Sequence, residues 1–434
     1  MDKIEIKSSS HTFSGELRVP ADKSIAHRAL LIASLNKEMT KISNLAFSED
    51  VRTISNDIQS TIKCLADIGV QFAEIKGNVF VRGRGIKDFI QSEGILDCGN
   101  SGTTTRLIMG LLSGQRFESK LNGDNSLKNR PMARVIEPLS EMGANISSEN
   151  NQLPITISPG NLKGGNFNLS LGSAQVKSAI IFAALCADGE TKLKEIKKSR
   201  DHTEIMLMSC TDNIKIVENE ITIKPDPVVK VESFNIPGDP SSAAFFIVAA
   251  LLNKDSNLTI KNLCLNKTRI YFIEILRKMG AKIEISNIVE SSGEPTGDIN
   301  VKTSDLKSVQ IEGDSIPLLI DEIPILCLAC SLAEGESKIL DAGELRFKES
   351  DRIKTTVSEL SKLGSGITEI ENGIIINGKS SLNGGDCDSH QDHRIAMMLA
   401  VAGTIANGET IINNPDCVSI SFPNFFKALD NFRK

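Results

Sequence analysis

The stretch LRKMGAKIEIS, Leu276 to Ser286, decides the fold. Its first half ends an apolar-periodic helix at Gly280, where a left-handed residue closes the last turn and a side chain would clash. Its second half alternates apolar and polar residues, the period of a half-buried strand. The same order recurs at Leu65 to Gly69 before VQFAEI, at Leu139 to Gly143 before ANISSE, and at Leu360 to Gly364 before SGITEI. Gly69 and Gly143 lie 74 residues apart and Gly143 and Gly280 lie 137 apart, so a degenerate copy is expected near TDNIKIVENEITI. The period is then about seventy residues, longer than the roughly 20 to 50 of familiar solenoids, which favours globular domains built from several α/β modules. The segment Pro237-Gly238-Asp239-Pro240, near mid-chain, reads as a turn and is the expected domain boundary.

A chain of 434 residues is long for one core, so two domains are expected, and 40% hydrophobic with 24% charged residues is a globular composition. The net charge of -6 disfavours a protein built to neutralise a nucleic-acid backbone and points to a small ligand. The start, MDKIEIKSSS, has no apolar stretch behind its charges, and the apolar runs from Ala179 and Ala243 fall well short of the roughly 18 residues that span a bilayer. A cytoplasmic location without a membrane partner is expected. Nine scattered cysteines do not form a disulfide framework, and Cys327 and Cys330, inside ILCLACSLA, read as buried thiols.

Positive residues gather at expected helix starts. In VPADKSIAHRALLIASL, Asp22 or Ser24 can cap the helix, Ser24 and Arg28 share a face, and Lys23 stands at the mouth where backbone N–H groups attract anions. In DCGNSGTTTRLIMGLLSG the glycines allow close approach to an anion, with Thr103 to Thr105 placed before the helix; the pattern fits neither nucleotide loop. Lys128, Arg130 and Arg134 surround Pro131, a residue suited to a first helical turn. Ser173 and Gln175 open another apolar helix, near Ser199-Arg200-Asp201-His202. Farther on, Asp321 precedes an apolar helix, and Arg346, Lys348, Glu349, Asp351 and Arg352 cluster ahead of the stripe Ile353, Val357, Leu360, Leu363. Cations at a helix N-terminus are unfavourable by about 0.3 to 1 kcal/mol at exposed sites, so this many there suggests an anion. Asp392-His393-Arg394 opens the last apolar helix; His390 and His393 lack further ligands at a recognisable spacing, so no metal is expected.

Taken in order, DKSIAHRALL, GNSGTTTR, NRPM, SAQVKSA, SRDHTE, GDPSSAAFF, DEIP, RFKESDRIK and DHRIAM closely resemble the 5-enolpyruvylshikimate-3-phosphate synthase family over nearly the whole chain. The resemblance implies an inside-out α/β barrel architecture: two similar domains, each of three βαβαββ repeats around buried helices. The first would span residues 21–236 and the second 1–20 with 237–434, the active site lying in the cleft between them. It further implies a monomeric transferase of the shikimate pathway and of aromatic amino-acid biosynthesis, the target of glyphosate. Such an enzyme moves the enolpyruvyl group of phosphoenolpyruvate to the 5-hydroxyl of shikimate 3-phosphate through a tetrahedral intermediate, with no cofactor.

Matched motif to motif, Lys23, Asp321 and Glu349 would be catalytic, Asp321 as base, with Glu349 and Lys23 moving protons. Shikimate 3-phosphate would be held by Lys23, Ser24, Arg28, Ser173, Gln175, Ser199, Arg200, Asp321 and Lys348. Phosphoenolpyruvate would meet Lys23, Gly102, Arg130, Gln175, Arg352 and Arg394. Three departures stand out: Ala174 replaces a serine of some relatives, Leu107 a proline, and Ile420 a lysine that contacts phosphoenolpyruvate. Gly102 keeps the residue whose replacement by alanine accompanies glyphosate tolerance. The related UDP-N-acetylglucosamine enolpyruvyl transferases usually carry an asparagine after the first lysine and a reactive loop cysteine, whereas here Ser24 follows Lys23 and no cysteine lies between Gly99 and Cys186. A non-catalytic anion-binding protein of the same fold is the alternative of another class, against which Lys23, Asp321 and Glu349 argue.

Overall fold

Each glycine of the repeat closes a helix in the left-handed conformation, with φ of +97° at Gly69, +99° at Gly143, +101° at Gly280 and +90° at Gly364. These positions come from a computed structural model that describes residues 2–7, 12–45, 55–170, 172–379 and 381–432. The degenerate copy is there too: helix His202–Met208 leads into the hairpin Ile214–Val217 and Glu220–Ile223. It turns without any positive φ between Met208 and Ile214, which is why no glycine marks it.

Among the described residues the strands form six sheets, as many as the expected repeats. In the sheet of the second repeat, Leu96–Asp97 pairs parallel with Ser119–Asn122, which pairs antiparallel with Ile155–Ser158, itself antiparallel to Asn145–Ser148. The last sheet has three strands, and Lys3–Lys7 lies antiparallel on Glu409–Asn413, with Lys3 opposite Asn413. The chain start thus completes the final repeat. Ser14–Leu17 then pairs parallel with Asn257–Cys264, and Ser233–Asn235 pairs parallel with Met39–Ser43.

The chain divides into two compact units, Ala21–Ile236 with Glu290–Glu294, and Met1–Pro20 with Pro237–Val289 and Pro295–Lys434. Each is built around three apolar helices: Lys23–Leu35, Gly102–Leu112 and Ala174–Ala184 in the first, and Pro240–Leu252, Ile323–Leu332 and His393–Ile405 in the second. Pro240–Leu252 buries every residue except Leu252, because a helix apolar all round has no face to give to water. The outer helices are two-faced instead: Tyr271–Lys278 buries Phe272, Ile273, Ile275 and Leu276 and leaves its basic end outside. Among the described residues no single helix is long and apolar enough to cross a membrane.

Some local expectations change. Pro237 to Pro240 is more than a turn, since Asp239 accepts from Ser241 N at 2.8 Å and Pro240 opens the helix. Pro131 lies outside the helix it was expected to start, which begins at Ala133. Cys327 and Cys330 are buried free thiols, with burial raising the pKa of Cys330 to about 11.

Gly110 lets helix Gly102–Leu112 lie directly against helix Ala174–Ala184, since a Cβ there would overlap the Ala179 carbonyl oxygen. Backbone is less able to yield than a side-chain tip. Gly110→Ala should therefore destabilise the fold by at least about 1 to 3 kcal/mol, read as a lower urea midpoint at unchanged slope.

Candidate active site

In the unit that begins at Ala21, the three apolar helices bring their N-terminal ends together. Asp22 caps the first by accepting from Ile25 N at 2.9 Å, which leaves Ser24 uninvolved in the cap and sets Lys23 at the first turn. Lys23 Nζ reaches Asp57 Oδ2 at 2.9 Å, from the start of helix Asn56–Asp67. Ser101 caps the second helix through Thr104 N at 3.1 Å, so Thr103 to Thr105 lie inside the first turn rather than ahead of it. The third helix has Ser173 at its N-cap with no side-chain cap bond.

Hydrogen bonds link these ends. His27 Nδ1 meets Thr61 Oγ1 at 2.7 Å, and Thr61 meets Thr104 at 2.6 Å. Burial foremost lowers the His27 pKa to about 3, so the ring is neutral and structural at any working pH. Arg28, buried, donates from Nε to Thr203 Oγ1 at 2.6 Å, from Nη2 to Ser178 Oγ at 2.8 Å and from Nη1 to the Ser24 carbonyl at 2.9 Å. Gln175 donates to Thr103 Oγ1 at 2.9 Å and accepts from Arg106 Nη1 at 2.7 Å. Arg130 donates to Asn100 Oδ1 at 3.2 Å. A methyl at Gly102 would stand 2.9 Å from Arg106 Nη1 and 3.4 Å from Arg130 Nη1, so the bare glycine keeps room beside two guanidinium groups. Arg200 is half-buried beside Ser199, whose amide and hydroxyl donate to Glu195 Oε1 at 3.2 and 2.5 Å. Lys128 ends the short helix Asn125–Lys128, and Arg134 is exposed.

The other unit gathers a second charged set around Arg352, whose side chain is 1% exposed. Its Nε meets Asp392 Oδ2 at 2.8 Å, its Nη2 meets Glu349 Oε2 at 2.5 Å, and its Nη1 meets Asp321 Oδ1 at 3.3 Å. Arg394 Nη2 lies 3.6 Å from Asp321 Oδ2, while Arg394 N donates to Asp392 Oδ1 at 2.9 Å. The helix-start cations are therefore answered by carboxylates of the chain itself, which weakens the inference from charge to a bound anion. Arg346 and Asp351 leave the set: they pair with each other at 2.8 Å, Arg346 also meets Glu369, and Asp351 caps helix Arg352–Lys362. Burial lowers the pKa of the Lys348 amine. His390 Nε2 meets Glu359 Oε1 at 2.9 Å, a bond that accounts for the histidine without a metal.

Each unit by itself offers charged groups of the kind that proton transfer between anionic reactants requires: an anchored ammonium at Lys23 in one, and the Asp321 and Glu349 carboxylates beside Arg352 in the other. The model of the EPSP synthase family (3-phosphoshikimate 1-carboxyvinyltransferase) matches residues 7–429. The chain belongs to the EPSP synthase family.

Two relatives, both named 3-phosphoshikimate 1-carboxyvinyltransferase, show how close the likeness is. The protein of Thermodesulfovibrio yellowstonii is 48% identical over 428 residues, 98% of each chain. That of Thermoanaerobacter pseudethanolicus is 47% identical over 429 residues, 98% of this chain and 99% of the other. A solved EPSP synthase from Acinetobacter baumannii is 37% identical and superposes with a TM-score of 0.88, covering 100% of this chain and 98% of that one. The two-domain inside-out α/β barrel expected of an EPSP synthase is consistent with that superposition.

Three residues of this family member were not singled out by sequence reasoning: Asp57, Arg106 and Lys177. Arg106 stands in the quoted motif GNSGTTTR, four residues after Gly102, and that spacing on a helix was a usable signal. Asp57 and Lys177 carry no local signal, because their partners lie 34 and 18 or more residues away. Ile420 ends the 3-10 turn Pro415–Ile420 and packs against the core of its unit, so it supplies no cation.

Proposed function

We propose that the chain transfers the enolpyruvyl group of phosphoenolpyruvate to the 5-hydroxyl of shikimate 3-phosphate and releases phosphate. The observation that carries this reading is the match over 98% of each chain, at 48% identity, to a protein named for that activity; the presence of Lys23, Asp321 and Glu349 in the sequence supports it. Asp321 takes the proton of the attacking hydroxyl; Arg352 and Arg394 lie 3.3 and 3.6 Å from its two carboxylate oxygens and would stabilise the carboxylate that acts as base. Glu349, fixed by Arg352, and Lys23, fixed by Asp57, exchange the proton at the methylene carbon. Arg130, Arg352 and Arg394, with the space at Gly102, take the phosphate and carboxylate of phosphoenolpyruvate. Ser24, Arg28, Ser173, Gln175, Ser199, Arg200 and Lys348 take the acceptor. We place the enzyme in the cytoplasm as a monomer acting on small molecules; the net charge of -6 supports the absence of a nucleic-acid partner.

The acceptor is tested by offering shikimate 3-phosphate and UDP-N-acetylglucosamine separately with phosphoenolpyruvate. Turnover with shikimate 3-phosphate alone is expected; turnover with the nucleotide sugar alone would reject the proposal.

Lys348 gives this reading a pH dependence. A phosphate dianion binds the protonated amine, so binding is strongest below the Lys348 pKa and weakens as pH rises through it. Because burial lowers that pKa from its ordinary 10.5, the weakening should begin at a lower pH than for an exposed lysine. The KM for shikimate 3-phosphate is expected to climb on the alkaline side, and Lys348→Arg, whose charge persists, should move the climb upward. Identical profiles for the two proteins would remove Lys348 from the acceptor's partners.

A further inference from the structure

Lys177 lies in the first turn of helix Ala174–Ala184 and its side chain is 0% exposed. Its Nζ stands 2.8 Å from Glu195 Oε2 and 2.7 Å from Glu204 Oε1. Burial alone would lower the lysine pKa, but Glu204 and Glu195 outweigh it and the pKa is raised, so the amine stays charged. Buried ion pairs are a weak source of stability and often yield to apolar residues of equal volume at no loss. Stability therefore does not explain a fully buried lysine in this helix.

What Lys177 faces does explain it. Glu195, at the end of strand Thr191–Glu195, accepts from both donors of Ser199 on its Oε1, while Lys177 holds its Oε2. Glu204 sits next to Thr203, the residue that accepts from Arg28. A phosphate oxygen bonded to Ser199 Oγ would lie within about 5 Å of the Glu195 carboxylate, close enough for strong repulsion in a site with little water. An uncompensated Glu195 would also retain the Ser199 proton for itself. A buried cation on its far oxygen reduces both effects.

Resting on the reading that places the acceptor at Ser199, we propose that Lys177 is a positioning residue for the acceptor phosphate: it offsets the charge of Glu195 so that a phosphate dianion can approach Ser199 and take its hydroxyl. The hydroxyl then turns from Glu195 to the phosphate, while the Ser199 amide and Lys177 continue to hold the carboxylate. No bond is made or broken in this step. Lys177 touches neither substrate.

The test is steady-state kinetics on the full chain with each substrate varied in turn. Lys177→Met is expected to raise the KM for shikimate 3-phosphate at least tenfold, with kcat and the KM for phosphoenolpyruvate within about threefold. Lys177→Met/Glu195→Gln, which removes the charge along with its partner, should bring the acceptor KM back to within about threefold of wild type. If either variant fails to fold, Lys177→Met/Glu195→Gln/Glu204→Gln, which leaves neither buried partner of Lys177 charged, answers the same question by the same acceptor KM. A Lys177→Met protein with lowered Tm but unchanged acceptor KM, or a double variant with a tenfold raised acceptor KM, would overturn the inference. Ser199→Ala separates this from the underlying reading: if it leaves the acceptor KM unchanged, the phosphate is not at Ser199. If it raises that KM while Lys177→Met does not, the reading stands and the role of Lys177 falls.

Discussion

Asp321→Ala is expected to bind shikimate 3-phosphate and to lose turnover by about two to four orders of magnitude, the usual contribution of a positioned general base. Binding survives because the acceptor's other proposed partners are untouched. The fold survives because Arg352 keeps Glu349 at 2.5 Å and Asp392 at 2.8 Å when its 3.3 Å contact to Asp321 is lost; the cost falls on Arg394, which gives up a long contact of 3.6 Å. The Asp321 side chain is also 20% exposed, so its removal opens space that water fills. Calorimetric titration with shikimate 3-phosphate, set beside kcat for the same sample, checks both halves. A variant that turns over at the wild-type rate would take Asp321 out of the mechanism.

Arg352→Met is expected to lose both stability and turnover. Asp392 is 0% exposed, and burial would raise its pKa; Arg352 holds it below its ordinary value instead. Removing the arginine leaves a buried carboxylate without its cation, a loss of about 3 to 5 kcal/mol. The sign with pH follows. A carboxylate whose folded pKa is lowered adds stability above its unfolded pKa, and that stability is lost as pH falls through the folded value. The destabilisation by Arg352→Met should therefore be largest near neutrality and shrink in acid, as urea unfolding across pH would show. Arg352→Met/Asp392→Asn should recover much of the stability yet keep a raised KM for phosphoenolpyruvate. Recovery of both would make Arg352 a purely structural residue.

The contrast between Arg352 and Gly280 shows what a sequence of this kind discloses. Gly280 and its three counterparts answer a local question, how a helix ends and a strand begins, and such questions are settled within a few residues. The repeat, its period and the alternation of strands were legible on that basis. Asp22 as a cap was legible for the same reason, being three residues from the amide it satisfies. Pro131 misled because Asn125–Lys128 forms a separate short helix ahead of it, a break that no periodicity in nine residues could announce.

Charge was harder to read, because a formal charge says nothing about the partner that answers it. Lys348, Arg352 and Arg394 looked like an excess of cations at helix starts. Asp321, Glu349 and Asp392, up to 40 residues from Arg352, balance them. Asp392 does so while also capping its own helix, a double duty that a motif match does not reveal. Lys177 was missed for the opposite reason: a lysine among Gln175, Ser178 and apolar residues attracts no notice until its two carboxylates are seen. The ordered motifs named candidate site residues along the chain, and the fold explains which of those candidates meet within each unit.

The proposed transfer consumes phosphoenolpyruvate only in the presence of its acceptor. Phosphorus NMR of the purified protein with both substrates tests it most directly. The account predicts inorganic phosphate and a new phosphate ester in equal amounts, with neither formed when shikimate 3-phosphate is omitted. Phosphate release at the same rate without the acceptor, or binding of both substrates with no phosphate released, would contradict it.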